Sequence, residues 1–218
     1  MNQLTLSKIT LNDIKRVVQL KEFGSRSYDW TLVDNIELTP REQTRLTELE
    51  STLDADPVHL LNESTIWARA IYPLLQLSEQ DDIRALSGVS LQATYQNFSL
   101  DGIADGVIGR SITGRIEVPY IVMVEAKRGI EGQNPIAQLY GELLVAARLN
   151  WEVEERGIQE VFGCYTIADS WTFVRAIVTE IESDRPTLTT EHSREYAEKT
   201  SAFKILKILK SIIQHSIQ

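Results

Sequence analysis

The apolar and polar positions divide the chain into a helical beginning, a strand-rich middle and a long last helix. Ile9, Ile14, Val17 and Val18 fit one face of a short helix over residues 12–22. Thr39-Pro40-Arg41-Glu42 is a helix start, with a threonine cap, proline in first position and an early acid, and predicts a helix over residues 40–53. Residues 63–77 carry Ile66, Ala70, Leu74 and Leu77 as a stripe, with Pro73 expected to kink the helix. Three strands follow, at residues 89–98, 100–109 and 117–127. The last two are predicted to form an antiparallel hairpin through Ser111-Ile112-Thr113-Gly114. Asn134 as cap and Pro135 in first position open a helix to about residue 150, after the turn Gly129-Ile130-Glu131-Gly132. Residues 161–167 and 171–179 read as strands joined by Ala168-Asp169-Ser170. A polar loop leads to a final helix over residues 194–215. Its stripe is Tyr196, Phe203, Leu206, Leu209, Ile212 and Ile213, with lysines at 199, 204, 207 and 210 on the other sides.

Residues 1–62 thus read as a helical extension, and residues 63–218 as the main domain. At 218 residues, 43% hydrophobic and 24% charged, the chain is long enough for one sizeable core and ordinary for a soluble protein. No apolar run is long enough to span a bilayer, and the N-terminus lacks a signal-peptide pattern, so no membrane partner and a cytoplasmic location are expected. A single cysteine, Cys164, excludes an internal disulfide, and three scattered histidines give no zinc spacing. The net charge of −9 argues against broad nonspecific affinity for nucleic acid. The acidity is local: residues 129–192 hold eleven acidic against four basic side chains, whereas residues 193–218 hold two against five.

Candidate chemistry gathers on the central strands. The run Tyr120-Ile121-Val122-Met123-Val124 reads as a strand covered on both faces, and it ends in Glu125-Ala126-Lys127-Arg128. Side chains two apart leave the same face about 7 Å apart. A carboxylate and an ammonium at the end of a buried strand fit a hard cation beside a proton-handling amine; the alternative is a solvated strand end. On the preceding strand Asp101, Ile103, Asp105 and Val107 share a face by parity. Hairpin pairing would bring Asp105 beside Glu125, where mutual repulsion raises pKa unless a divalent cation intervenes. The alternative for Asp105-Gly106 is a local turn. Gln138, one turn into its helix, reaches toward the same strand end or is a surface amide, and Glu142 lies four residues on, along one flank. Glu63 favours the helix dipole in a first turn.

The order helix, three strands, helix, two strands, with Gly102-Ile103-Ala104-Asp105, Val124-Glu125-Ala126-Lys127 and Gln138-Leu139-Tyr140, resembles the PD-(D/E)XK nuclease superfamily over roughly residues 63–179. It is similar in style to the nuclease domains of type I restriction R subunits and to small bacterial relatives. Ala104 stands where that pattern has proline, and Tyr140 is two rather than four residues from Gln138, so Tyr140 takes no role. The resemblance implies an α/β, restriction endonuclease-like fold, a mixed central sheet with an αβββαβ core flanked by helices. It implies Mg²⁺, with Mn²⁺ as substitute, on Asp105, Glu125, the Ala126 carbonyl and Glu63 as outer carboxylate. Lys127 would act on the attacking water, Gln138 would orient it, and Lys127 and Arg128 would meet DNA. The activity implied is hydrolysis of DNA phosphodiester bonds, endo- or exonucleolytic, with DNA and a second copy of the chain as partners and no small-molecule cofactor. The alternative is an inactive nuclease-fold protein serving as a binding or assembly module.

Overall fold

The computed structural model describes residues 2–55, 57–129 and 134–217; the expected turn over residues 130–132 lies outside them. Helix starts follow local chemistry. Thr10 and Asp13 form a reciprocal capping box that opens α1 (Leu11–Val17). Thr39 and Glu42 exchange the same pair of bonds at α2 (Pro40–Ala55). Asn62 accepts from the Thr65 amide at 2.9 Å to begin α3 (Glu63–Ile66). A π-helical segment, Trp67–Ile71, then leads into α4 (Tyr72–Leu77). Pro73 offers no N–H to the turn before it, and the wider π turn is where the helix absorbs that loss.

One mixed sheet of eight strands organises the molecule: β1 (Asn2–Thr5), β2 (Gln19–Phe23), β3 (Ile83–Thr94), β4 (Phe98–Arg110), β5 (Glu117–Lys127), β6 (Ile158–Ile167), β7 (Ser170–Thr179) and β8 (Thr187–Ala197). The order is β1-β4-β5-β6-β7-β8-β2, with β3 on the other edge of β4. The pairs β1–β4, β5–β6 and β2–β8 are parallel; the rest are antiparallel. The helices α5 (Ile136–Glu154) and α6 (Glu198–Ser216) cover opposite faces. Leu139, Leu143 and Val145 of α5 pack with Leu6, Met123 and Val174, whereas Ile205, Leu206 and Leu209 of α6 pack with Val122, Phe162 and Trp171. The chain is therefore a mixed α/β protein with helices on both faces of a central sheet. Among the described residues no helix is long and apolar enough to cross a membrane.

Several elements differ from the sequence-based expectation. The helix expected over residues 12–22 stops at Val17, and residues 19–23 form β2 instead. The first core strand starts earlier, at Ile83, and Phe98 belongs to β4 across a tight turn closed by Tyr95 N–H to Phe98 O at 2.8 Å. Residues 187–197 form a strand rather than loop and helix, so Tyr196 lies in β8. Parity along β4 also fails. Ala104 and Val107 join the same core cluster, and a Cβ on Gly106 would meet Trp67 on the opposite face at 2.6 Å. The strand rotates its faces between Ala104 and Gly106, so Asp101, Ile103, Asp105 and Val107 do not all share one face.

Candidate active site

Asp105 sits where the sheet opens. β3 occupies one edge of β4 along most of its length, so β1 and β5 share the other edge. β1 pairs with Phe98–Asp101 and β5 with Gly106–Arg110. Among the described residues the stretch 102–105 between them has no strand partner on that edge. The register ends at Gly106↔Val124, which makes Asp105 and Glu125 the next opposed residues at the point of splay. Asp105 Oδ2 accepts the Ala126 N–H at 2.8 Å, an amide that β4 would otherwise have engaged through its backbone.

Glu125 points to the α5 face and is fully buried. Gln138 Nε2 donates to its Oε2 at 2.7 Å, and Lys127 Nζ forms an ion pair with its Oε1. The Gln138 position follows from its cap: Asn134 Oδ1 accepts the Ile136 N–H at 3.0 Å and fixes the helix start beside the strand end. Burial pushes the Glu125 carboxyl up to about 7. The Asp105 charge adds to the rise and Lys127 opposes it. Burial tends to lower the Lys127 amine, but its bond to Glu125 and the charges of Glu125, Asp105 and Glu63 outweigh that and hold it above the usual range.

Of the sequence-derived candidates, Asp105, Glu125, Ala126, Lys127 and Gln138 are therefore brought together. Glu63 is exposed at the start of α3, within electrostatic reach of Lys127. Arg128 is exposed just past the strand end. One member escaped the sequence reading. Glu142 is fully buried, one turn after Gln138, and its Oε1 accepts from Gln138 Nε2 at 3.3 Å. Its Oε2 is buried without a hydrogen-bond partner among the described residues. Burial, then the charge and proximity of Glu125, push its carboxyl well above the usual range. The signal was an acid between Tyr140 and Leu143 on a helix that is apolar nearly all round.

This group offers oxygen donors, one amine and one amide. Among the described residues, the carboxyls of Asp105, Glu125 and Glu142 crowd together beside Lys127, an excess of acidic groups that a bound cation would relieve. The donor chemistry suits a hard divalent ion on Asp105 and Glu125. Among the described residues no three or more His, Cys, Asp or Glu side chains are arranged as a metal cluster, so such an ion would rest on two carboxylates with backbone and water oxygens. No protein-family model matches the chain, and no curated protein matches it.

Proposed function

We propose that this protein is a metal-dependent deoxyribonuclease of the restriction endonuclease-like fold, acting in the cytoplasm at the end of β5. The observation that carries the reading is the convergence of Asp105, Glu125 and Lys127 at the splay between β4 and β5, with Gln138 bonded to Glu125. A Mg²⁺ or Mn²⁺ ion, when bound, would polarise a phosphodiester oxygen and activate water. Asp105 and Glu125 would hold it, with the Ala126 carbonyl available beside them and Glu63 as an outer carboxylate. Lys127 would place the water and offset charge developing on phosphorus. Gln138 fixes the Glu125 rotamer and keeps one of its oxygens oriented.

Single- and double-stranded DNA incubated with Mn²⁺ or Mg²⁺ should be cut by the wild type. Lys127→Ala should lose roughly 10²–10⁴-fold of that activity with an unchanged circular dichroism spectrum. Either ion should raise the wild-type Tm by mass action, and Asp105→Asn should remove the increase. Cleavage undiminished in Lys127→Ala would sink the assignment. The net charge of −9 favours the inactive binding or assembly module instead, and absence of both cleavage and the metal-dependent Tm increase would establish that reading over the nuclease.

A further inference from the structure

On the sheet face away from Glu125 and α5, a separate cavity of about 340 Å³ opens between β6–β8 and α6. Strand register builds its floor. Phe162 of β6 opposes Arg175 of β7, which opposes Glu191 of β8, so the three form a row on the α6 face. Glu160 lies two residues before Phe162 and shares that face. The walls are aromatic. Trp30 lies beside Tyr28 with ring centroids 6.0 Å apart and nearly parallel planes, and it meets Phe162 edge-on at 5.8 Å. Trp30 is held in place by its indole N–H, which donates to Glu191 Oε2 at 2.8 Å.

The charges in this cavity do not balance. Asp29, Glu160 and Glu191 line it against the basic side chains Arg175 and His215, and His215 Nε2 lies 2.8 Å from Glu160 Oε2. Arg175 is already committed, bonded to Glu160 Oε1 and within 3.4 Å of Glu191 Oε2. Glu160 stays ionised: burial pushes its carboxyl up, but hydrogen bonds from His215 and Arg175 outweigh this and hold it below the usual range. Aromatic faces with surplus carboxylate attract a cation that also has an apolar body, because the rings stabilise positive charge and the methylenes fill the cavity. An anionic ligand would meet the excess of carboxylates, and a neutral aromatic would leave that excess uncompensated.

We propose that this cavity is a binding site for a small alkylammonium group, distinct from the Glu125 centre on the opposite face. Two sources carry that chemistry, a free diamine and the lysine side chain of a peptide. The test is titration of the full chain by calorimetry and tryptophan fluorescence. Butylammonium serves as the minimal probe, and putrescine and N-acetyl-lysine methylamide serve as the two source arms. Saturable binding that weakens as salt is added is the expected result. Glu191→Gln and Glu160→Gln should each weaken it about tenfold, and Trp30→Leu by a similar factor with loss of the fluorescence change. Because Trp30 also packs against the core, the two Glu→Gln variants stand as the test if Trp30→Leu does not fold. Tighter binding of putrescine assigns the site to free diamines, and tighter binding of the lysine amide assigns it to a peptide. Butyrate or butanol binding as well as butylammonium, or no saturation by roughly 10 mM, where a millimolar Kd is readily seen, would overturn the proposal.

Discussion

Glu198 should make the stability of this protein fall as pH rises, and the size of the effect follows from its surroundings. The side chain begins α6, is fully buried, and accepts the Trp171 indole N–H on Oε2 at 2.6 Å. Its Oε1 has no hydrogen-bond partner among the described residues, and Asp169, whose backbone carbonyl accepts the Glu198 N–H at 2.7 Å, adds a like charge nearby. Burial is the largest cause of its raised pKa. Asp169 adds to the rise, the Trp171 bond opposes it, and the carboxyl reaches about 8 from an ordinary 4.5. At 1.36 kcal/mol per pH unit that gap is worth about 4–5 kcal/mol. The sign follows from linkage: the folded chain keeps a proton that the unfolded chain releases. The contribution is therefore fully present below pH 4.5 and is lost as pH rises through about 8. Glu198→Gln keeps the acceptor for Trp171 and cannot ionise. Relative to wild type it should gain about 4 kcal/mol between pH 5 and pH 9, or roughly 8–16 °C in Tm for a chain of this size. Urea unfolding at those two pH values measures it. Glu125 and Glu142 titrate in both proteins and cancel in the difference. An offset between variant and wild type that is the same at pH 5 and pH 9 would refute the reasoning.

Three further outcomes are expected. Gly109→Ala should destabilise by about 1–3 kcal/mol in urea unfolding, since its Cβ would lie 2.8 Å from the Pro119 carbonyl oxygen, a backbone atom that cannot swing aside. Glu50→Ala should lower Tm by roughly 2–4 °C. Its Oε1 accepts the Ala202 N–H at 3.0 Å where α6 departs from helical geometry at Ser201, so it caps the main body of that helix from a neighbouring one. Cys164 is fully buried, and burial, with Glu142 adding to it, pushes its thiol well up. A thiol reagent at pH 8 should label the folded protein no faster than the protein unfolds, and labelling that follows reagent concentration without unfolding would contradict the burial.

The elements that could be read from sequence are those whose own residues decide their state. β5 and β6 are apolar β-branched runs buried on both faces, and α2 and α5 announce their starts with Thr39-Pro40 and Asn134-Pro135. β8 could not be read this way. Thr187-Leu188-Thr189-Thr190-Glu191-His192 has β-branched residues but no apolar alternation, and it becomes a strand through the backbone bonds of β7 and β2. β2 is similar: Val17, Val18 and Leu20 suit a helical face, and it is pairing with β8 that extends the chain from Gln19.

The candidate site divides along the same line. Glu125 and Lys127 are fixed by the period of one strand, and the approach of Asp105 to Glu125 at the end of the β4–β5 register follows from one hairpin, so three residues close in sequence logic could be placed together. Glu142 needed the sheet. Its spacing from Gln138 is that of any helix flank, and only the packing of α5 onto Met123 and Glu125 turns the flank into an interior. The opening itself arises from residues distant in the chain. Asn2–Thr5 and Glu117–Lys127 compete for the same edge of β4, and neither covers positions 102–105. That gap frees the Ala126 amide, and the freed amide is what turns the Asp105 carboxylate toward Glu125. A substitution that lengthened the β1 pairing to position 105 would close the gap and remove the site while leaving every one of its side chains in the sequence.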